Sequence, residues 1–474
     1  MALNQVPIAG SFFEQLRTIR TDRIGGLRRF NDEGRDIGRF AFVFGDVVLV
    51  NTPEAVHEVL VTHAKSFEKS PILRAALHPL AGQGLFTSEG DLWRRQRRLM
   101  APLFQPSALR GFADEMTRCA ERAVATWRDG QVLDVAHETT RIAMSVAGRT
   151  LFDIDTFDET DSLGDALTTA LDWAAEESGR MTLIAQARFK VALERLADRS
   201  PARLADRLRG VADRSIEPIM WPSARTRELR AALDRLEARV ARMIEERRKS
   251  PGDRTDLLSL LLAARDDDGS GMSDRQVRDE VLTLFVAGHE TTANALAWGL
   301  MLLAQHPEVY AELRREVDAL GRAPTFDDLP RLDLALRVFK ESLRMYPPVY
   351  LFGRIAVADV SVGGYALPKG TVVLVSPFSL HHRPDVWPDP ERFDPGRFTA
   401  AEEARRHKSA FVPFSAGPRT CIGNHFALME GPLVLATILQ RADLSLVDPR
   451  GAQPEPSATL RPRGGIPMKI SLRR

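Results

Sequence analysis

The chain has 474 residues, with 65 Lys and Arg against 64 Asp and Glu and a formal net charge of +1. A balance this even excludes the basic stripe that nucleic-acid binding needs, and 44% hydrophobic with 27% charged residues is the composition of a globular protein. Two cysteines, Cys119 and Cys421, exclude a disulfide framework and any all-cysteine zinc or iron–sulfur site. The apolar runs fall short of the ~20 residues that span a bilayer, and the N-terminal MALNQVPIAGSFFEQLRTIR lacks the charged and apolar regions of a signal peptide. These features predict a soluble, cytoplasmic protein with no transmembrane anchor. Lys occurs only eight times, an arginine bias associated with GC-rich bacterial genomes.

No internal repeat, low-complexity tract or Pro/Gly/Ser linker divides the sequence. It reads as one domain over residues 1–474, mainly α with a minor β part. Residues 39–50, RFAFVFGDVVLV, predict two short strands around Gly45–Asp46. From about 53 to 350 the periodicity is mostly helical, and WRRQR places Trp93 and Arg97 at i,i+4 on one helix face. A long helix is predicted from Ser273 to about Gln305. It opens on Ser273 and Gln276 in capping-box spacing, closes before His306–Pro307, and would be about 45 Å long. Its middle, VLTLFVAGHETTANALAWGL, is apolar around almost the whole circumference, which means burial on every side. Gly288 and the β-branched Thr291 and Thr292 cost this helix about 1–2 kcal/mol of propensity, so their presence asks for a reason. A further helix over about 333–346 carries Glu341 and Arg344 at i,i+3 and is stopped by Pro347–Pro348. On its own such a pair is most often a surface ion pair. Residues 354–375 are β-rich, with turns at Gly363–Gly364 and Pro368–Lys369–Gly370. A last strong helix covers about Asn424 to Leu439, and 443–474 predicts hairpins.

Cys421 lies in PFSAGPRTCIGNHFALMEGPLVL, a Gly/Pro/Ser loop that runs into the last helix. A lone cysteine is most often a buried free thiol. Here the amides of a helix N-terminus and the charge of Arg419 should lower the thiol pKa, and Gly417 and Gly423 let the backbone approach something flat and bulky. Such a thiolate suits a metal ligand or a nucleophile. A nucleophile needs a His base and an orienting carboxylate; His425 lies one helical turn on, with no oxyanion motif. His289–Glu290 does not begin a zinc site, because HExxH needs a second His where this chain has Ala293.

Phe414, Gly417, Arg419, Cys421 and Gly423 fit FxxGxRxCxG at every specified position, and on these residues the chain resembles the cytochrome P-450 family over essentially its whole length. The resemblance implies that family's fold, with heme b between the long central helix and the cysteine loop and Cys421 as the axial ligand of the iron. That ligand pushes electron density toward O–O cleavage. It implies that Trp93, Arg97, Arg354 and Arg419 meet the haem propionates, for which guanidinium geometry is well suited, and that Phe414, Gly423, Ala287 and Gly288 also contact the cofactor. Ala287-Gly288-His289-Glu290-Thr291-Thr292 is similar to the family's oxygen-binding motif. There the helix opens locally to hold water and dioxygen, and Glu290 and Thr291 act as an acid–alcohol proton relay. The plainer alternative for Thr291 is a hydroxyl bonded back to the Ala287 carbonyl, and for His289 a packing role. Glu341 and Arg344 would join Arg392, from Pro390-Glu391-Arg392-Phe393, in a structural network.

The resemblance thus implies a monooxygenase that inserts one oxygen atom of O2 into a hydrophobic substrate. Leu85, Phe86, Val286, Val349, Tyr350 and Leu351 are the candidate substrate contacts, from segments near 71–92, 165–225, the central helix and beyond Pro348; a fatty acid and a terpenoid or other polycyclic lipid are equally favoured. Electrons would come from NAD(P)H through a separate ferredoxin or flavodoxin with its reductase, since the short tail after Cys421 leaves no room for a fused one. Arg94, Arg95, Arg98, Arg405, Arg406 and Lys408 are the expected docking cations, and a monomer is expected. Two competing readings are redox-independent isomerisation or dehydration at the same haem, and non-catalytic haem or lipid binding. The intact Glu290–Thr291 pair weighs against both.

Overall fold

The apolar run Val47–Val50 forms one strand of the first hairpin, in which β1 (Ile37–Phe40) and β2 (Val47–Val50) pair antiparallel with Ile37 opposite Val50 and Phe40 opposite Val47. The computed structural model describes all residues except 1–2, 11–21, 42–45, 198–199, 202, 205–206, 209, 212–219, 221, 250–255, 266–268, 270 and 474. The Gly45 half of the predicted turn, and part of the 165–225 segment, therefore lie outside the described residues. The other strands are β3 (Phe67–Lys69), β4 (Val132–Asp134), β5 (Phe352–Ala356), β6 (Val360–Val362), β7 (Tyr365–Leu367), β8 (Val372–Val375), β9 (Ala442–Leu446), β10 (Pro454–Pro456), β11 (Leu460–Pro462) and β12 (Pro467–Leu472). One sheet has the order β1-β2-β8-β5-β3, a second β4-β12-β9, and β6-β7 and β10-β11 are separate hairpins. β2 and β8 are parallel and the other pairs antiparallel. The periodicity does not announce β3 and β4, because three residues are too few for alternation to show.

The remainder is mainly helical. The central helix runs Asp274–Gln305, 32 residues, and Ser273 and Gln276 form the reciprocal capping box. Its apolar circumference is buried as the pattern requires. Phe285 stacks on Phe152 of the helix Val135–Phe152 with ring centroids 4.5 Å apart. Trp298 is fully buried, stacks on Tyr346 at 4.1 Å and donates its indole N–H to the Leu460 carbonyl at 3.1 Å. The helix is α-helical without interruption through Gly288–Thr292, so the local opening implied by the resemblance is not present. Among the described residues, no helix is long and apolar enough to cross a membrane.

Glu341 and Arg344, on the helix Asp333–Met345, form a fully buried bidentate pair with N···O distances of 2.7 and 2.9 Å. Charges removed from water survive only if every remaining lone pair and proton is matched, and here the surroundings do so. Arg344 donates to the His381 carbonyl at 2.9 Å, and Glu341 accepts the Asp394 amide at 2.9 Å. The expected third guanidinium is different. Arg392 contributes only its backbone carbonyl, 3.3 Å from Arg344 Nη2, and its side chain is exposed. The turn at Asp389, whose φ is +49°, holds Arg392 at the surface, and Arg397 instead reaches inward to within 3.6 Å of Glu341.

Arg344→Met would leave Glu341 buried without its partner and should cost about 3–5 kcal/mol, whereas Arg392→Ala should stay within about 0.5 kcal/mol. Denaturant midpoints of the two variants check this, and equal losses would return the Arg392 side chain to the network.

Candidate functional site

The buried ion pair reaches the cysteine loop through one side chain. Burial keeps His381 neutral, well below the usual histidine range, so its Nε2 can accept the Val412 amide at 3.0 Å. Val412 in turn accepts from Ser415, and Phe414 accepts the Cys421 amide at 2.9 Å, closing the loop. Gly417 has φ +68°, and a Cβ there would lie 2.0 Å from the Leu60 carbonyl oxygen, so only glycine lets the loop dock. Gly423 and Gly288 differ. A Cβ at Gly423 would meet nothing nearer than 4.0 Å, and one at Gly288 only Ala147 Cβ at 3.6 Å. The protein's own packing requires glycine at neither position.

Protein surrounds the Cys421 thiol, and burial pushes it up, with the Gly423 amide and Arg97 pulling the other way. The residue nevertheless keeps accessible surface, so the thiol is not sealed off by protein packing. The lowered thiol pKa expected from Arg419 and the helix N-terminus is corrected here. The helix Asn424–Arg441 begins only beyond Gly423, Arg419 is turned toward Glu89, and burial outweighs both. On the central helix, buried on both sides of this stretch, Ala287, Gly288 and Thr291 also keep accessible surface. Thr291 Oγ1 donates to the Ala287 carbonyl at 2.6 Å, the plainer of its two expected arrangements. Glu290 faces elsewhere: it is buried, and Oε1 accepts from Thr459 at 2.8 Å. No hydrogen bond joins the acid directly to the alcohol among those the structure shows.

Three guanidiniums and an unforeseen lysine gather next to the cysteine loop. Arg419 donates to Glu89 at 2.7 Å and lies 5.1 Å from the Trp93 ring centroid, and its Nε is buried with no partner. Arg354 lies over Phe352 and reaches only the Gly353 carbonyl at 3.1 Å and Ser415 Oγ at 3.4 Å. Its burial, with Arg419 beside it, lowers it to about 10. Burial lowers Arg97 too, against the pull of Cys421. Lys69 donates to the carbonyls of Leu85 and Ser88 at 3.0 and 2.6 Å. Burial, offset by Glu89 and reinforced by Arg419, Arg74 and Arg354, lowers it to about 7. Burial alone would raise Glu89, but its hydrogen bond from Arg419 and the charge of Lys69 hold it below the usual carboxylate range. Buried donors left over around one internal carboxylate are a site for further carboxylates. Among the described residues no group of three or more His, Cys, Asp or Glu could hold a metal, so an ion at Cys421 must bring most of its own ligands. A propionate-bearing haem fits these residues.

The candidate substrate contacts fall in different packing environments. Leu85 and Val286 are buried in the main core, while Phe86 is 43% exposed. Tyr350 is corrected: it packs with Ile24, Leu27 and Phe30 in a separate core, donates to the Ser457 carbonyl and accepts from Arg23, both at 3.3 Å. Leu351 packs against that same core, and Val349 is half-buried. Two acids missed in the sequence tie the Leu85 segment to the central helix. Asp279 accepts the Gln83 amide and Glu280 the Leu85 amide, each at 2.9 Å. Glu280 is fully buried, its Oε1 has no partner, and burial, with Asp279 adding, raises it to about 8. The available signal was two adjacent carboxylates on a helix otherwise apolar from Val281 onward.

A family profile described as cytochrome P-450 matches residues 3–469. The chain is 36% identical to a cyclooctat-9-en-7-ol 5-monooxygenase of Streptomyces melanosporofaciens over 82% of this chain and 78% of that protein. It is 33% identical to a pentalenene oxygenase of Streptomyces avermitilis over 86% of this chain and 82% of that one. Among solved structures, the haem domain of cytochrome P-450DA superposes with a TM-score of 0.82 at 28% identity, covering 99% of this chain and 98% of the other.

The Glu280 latch predicts a pH dependence of stability. The folded chain keeps on Glu280 a proton that the unfolded chain releases above about 4.5, so this stabilisation is present at acid pH and is lost as pH rises to about 8. Relative to Glu280→Gln, the wild type should lose on the order of 1 kcal/mol per pH unit between about pH 5 and 7. Urea unfolding at several pH values tests this; parallel curves would contradict it.

Proposed function

The chain belongs to the cytochrome P-450 family, and from that premise we propose that it works as one haem domain in which Cys421 would hold the haem iron through its sulfur. It is a monooxygenase acting on hydrophobic substrates. The observation that carries the assignment of the site is an accessible Cys421 thiol close to Arg97 and to Arg419, whose Nε is buried with no partner. Heme b, when bound, supplies the redox-active iron at which O2 is reduced and one oxygen atom is inserted into a C–H bond. The protein's residues do the rest. Arg97, Arg354 and Arg419 would hold the two propionates, and Trp93 lies against Arg419. Phe414 and Gly423 flank the thiolate side, and Ala287 and Gly288 leave room on the opposite side, which explains glycines that protein packing does not demand. Thr291 Oγ1 holds a proton at the reacting side, and Glu290 replaces it from the buried side of the helix.

Electrons come from NAD(P)H through a separate ferredoxin or flavodoxin and its reductase, docking on the side of the cysteine loop. Arg98 and Lys408 are exposed there, and Arg94 and Arg405 are exposed although paired with Asp91 and Glu402. Arg406 leaves the expected set, because it lies 3.9 Å over the Trp387 ring and donates to the Arg397 carbonyl. The protein acts in the cytoplasm of a bacterium as a monomer. Its substrate is a polycyclic terpenoid rather than a fatty acid, a choice supported by the terpenoid oxygenases it resembles.

Thr291→Ala should retain haem but divert reducing equivalents to hydrogen peroxide, by about tenfold or more given the usual size of a proton-transfer contribution. Stoichiometry of NADPH, O2 and peroxide with a surrogate ferredoxin measures it, and unchanged coupling would remove Thr291 from proton delivery.

A further inference from the structure

Glu290 is fixed by a short hydrogen-bond chain. Asn294, one turn further along the central helix, donates its side-chain N–H to Thr459 Oγ1 at 3.0 Å. The Thr459 hydroxyl in turn donates to Glu290 Oε1, 2.8 Å away. Glu290 Oε2 is buried and has no partner. Thr459 is itself held in place. It immediately precedes β11, where the Leu460 amide donates to the Pro348 carbonyl at 2.9 Å and the Leu460 carbonyl accepts from Trp298. Across the hairpin, Ser457 and Arg461 both donate to Asp172, at 2.7 and 3.0 Å, and Arg461 also pairs with Glu455.

We propose that Thr459, oriented by Asn294, is a positioning residue for Glu290, occupying Oε1 so that the carboxyl proton sits on Oε2 and is the one delivered. This rests on the reading of Glu290 as the buried acid of the relay. When the Oε2–H bond breaks, its proton passes to a water molecule admitted beside Oε2, Glu290 is left as a carboxylate accepting from Thr459, and a solvent proton later restores it. The charged groups that face Glu290 from the neighbouring elements are Arg461 on the hairpin and Asp172 on the helix Thr160–Ser178. Arg461 favours the carboxylate and Asp172 the neutral acid, while burial pushes Glu290 above the usual carboxylate range.

The test compares Thr459→Val with Thr459→Ser in the haem-loaded enzyme. One readout is the infrared carboxyl stretch of protonated Glu290, identified by its loss in Glu290→Gln; the other is the share of NADPH oxidation that ends as peroxide. Removing a hydrogen bond to the carboxylate should move the midpoint of that band upward by about one pH unit and raise the peroxide share about fivefold, and Thr459→Ser should restore both. If Thr459→Val moves neither, the positioning role is wrong. If the midpoint moves and the peroxide share does not, Thr459 holds Glu290 for some purpose other than delivery, and the proposal falls. Unchanged coupling in Glu290→Gln itself would overturn the relay reading, while the infrared band would still report whether Thr459 holds the acid.

Discussion

The buried Glu341–Arg344 pair is the constraint on which the cysteine loop depends. Two opposite charges with no exposure are tolerable only when fully paired, and the pairing groups come from distant segments. The His381 carbonyl, the Asp394 amide and the Arg392 carbonyl must all converge on one helix turn. Once His381 is placed by its carbonyl, its ring is free to accept from Val412, and the loop that ends in Cys421 hangs from that bond. An ion pair that looks local in sequence thus sets the height of the thiol against the central helix. A buried charge pair adds little net stability when intact, but it tolerates no partial formation. That property makes it suited to fixing a loop in one position.

A second constraint is the excess of positive charge beside that loop. Arg354, Arg419 and Lys69 share one internal carboxylate, Glu89, and Arg97 adds a further positive charge beside Cys421. In a low-dielectric interior such crowding is relieved by losing charge or by acquiring anions. The first applies to Lys69, which burial, reinforced by Arg419, Arg74 and Arg354, lowers to about 7, the residue of the four that can give up its proton most readily. It leaves the second open in the unpartnered Nε of Arg419. A dianionic group with a flat body answers the electrostatics and the unneeded glycines at 288 and 423 together. The central helix contributes through its two faces: Thr291 on the accessible side, Glu290 on the side packed against the C-terminal hairpin.

What the sequence makes legible is what is local or locked into a fixed spacing. Ser273 and Gln276 announce the central helix because a capping box is a three-residue event, and Gly363–Gly364 announces a hairpin because its geometry needs positive φ. Phe414 through Gly423 announce the cysteine loop because its turn and its ligand sit within ten positions. The residues that escaped are those whose partners are remote. Arg397 lies close to Arg392 in sequence, and only the path of the turn at Asp389 decides which guanidinium points inward. Lys69 meets Glu89, Arg354 and Arg419 from four separate segments, and its only signal was being a lysine in a chain that otherwise prefers arginine. Thr459 reaches Glu290 across 169 positions, and no pattern in a Ser/Thr-rich turn distinguishes it. Tyr350 illustrates the opposite case, since proximity to the Pro347–Pro348 stop suggested the site while its side chain packs in the separate core of Ile24, Leu27 and Phe30.

The central claim is that Cys421 is an anionic sulfur ligand to haem iron. It is tested most directly by the absorption spectrum of the dithionite-reduced, haem-loaded protein with and without carbon monoxide, for the wild type and for Cys421→Ala. A strongly red-shifted Soret band in the wild type, absent from Cys421→Ala, is the predicted result. A haem-loaded wild type whose carbon monoxide spectrum lacks that shift, or a shift that survives in Cys421→Ala, would contradict it.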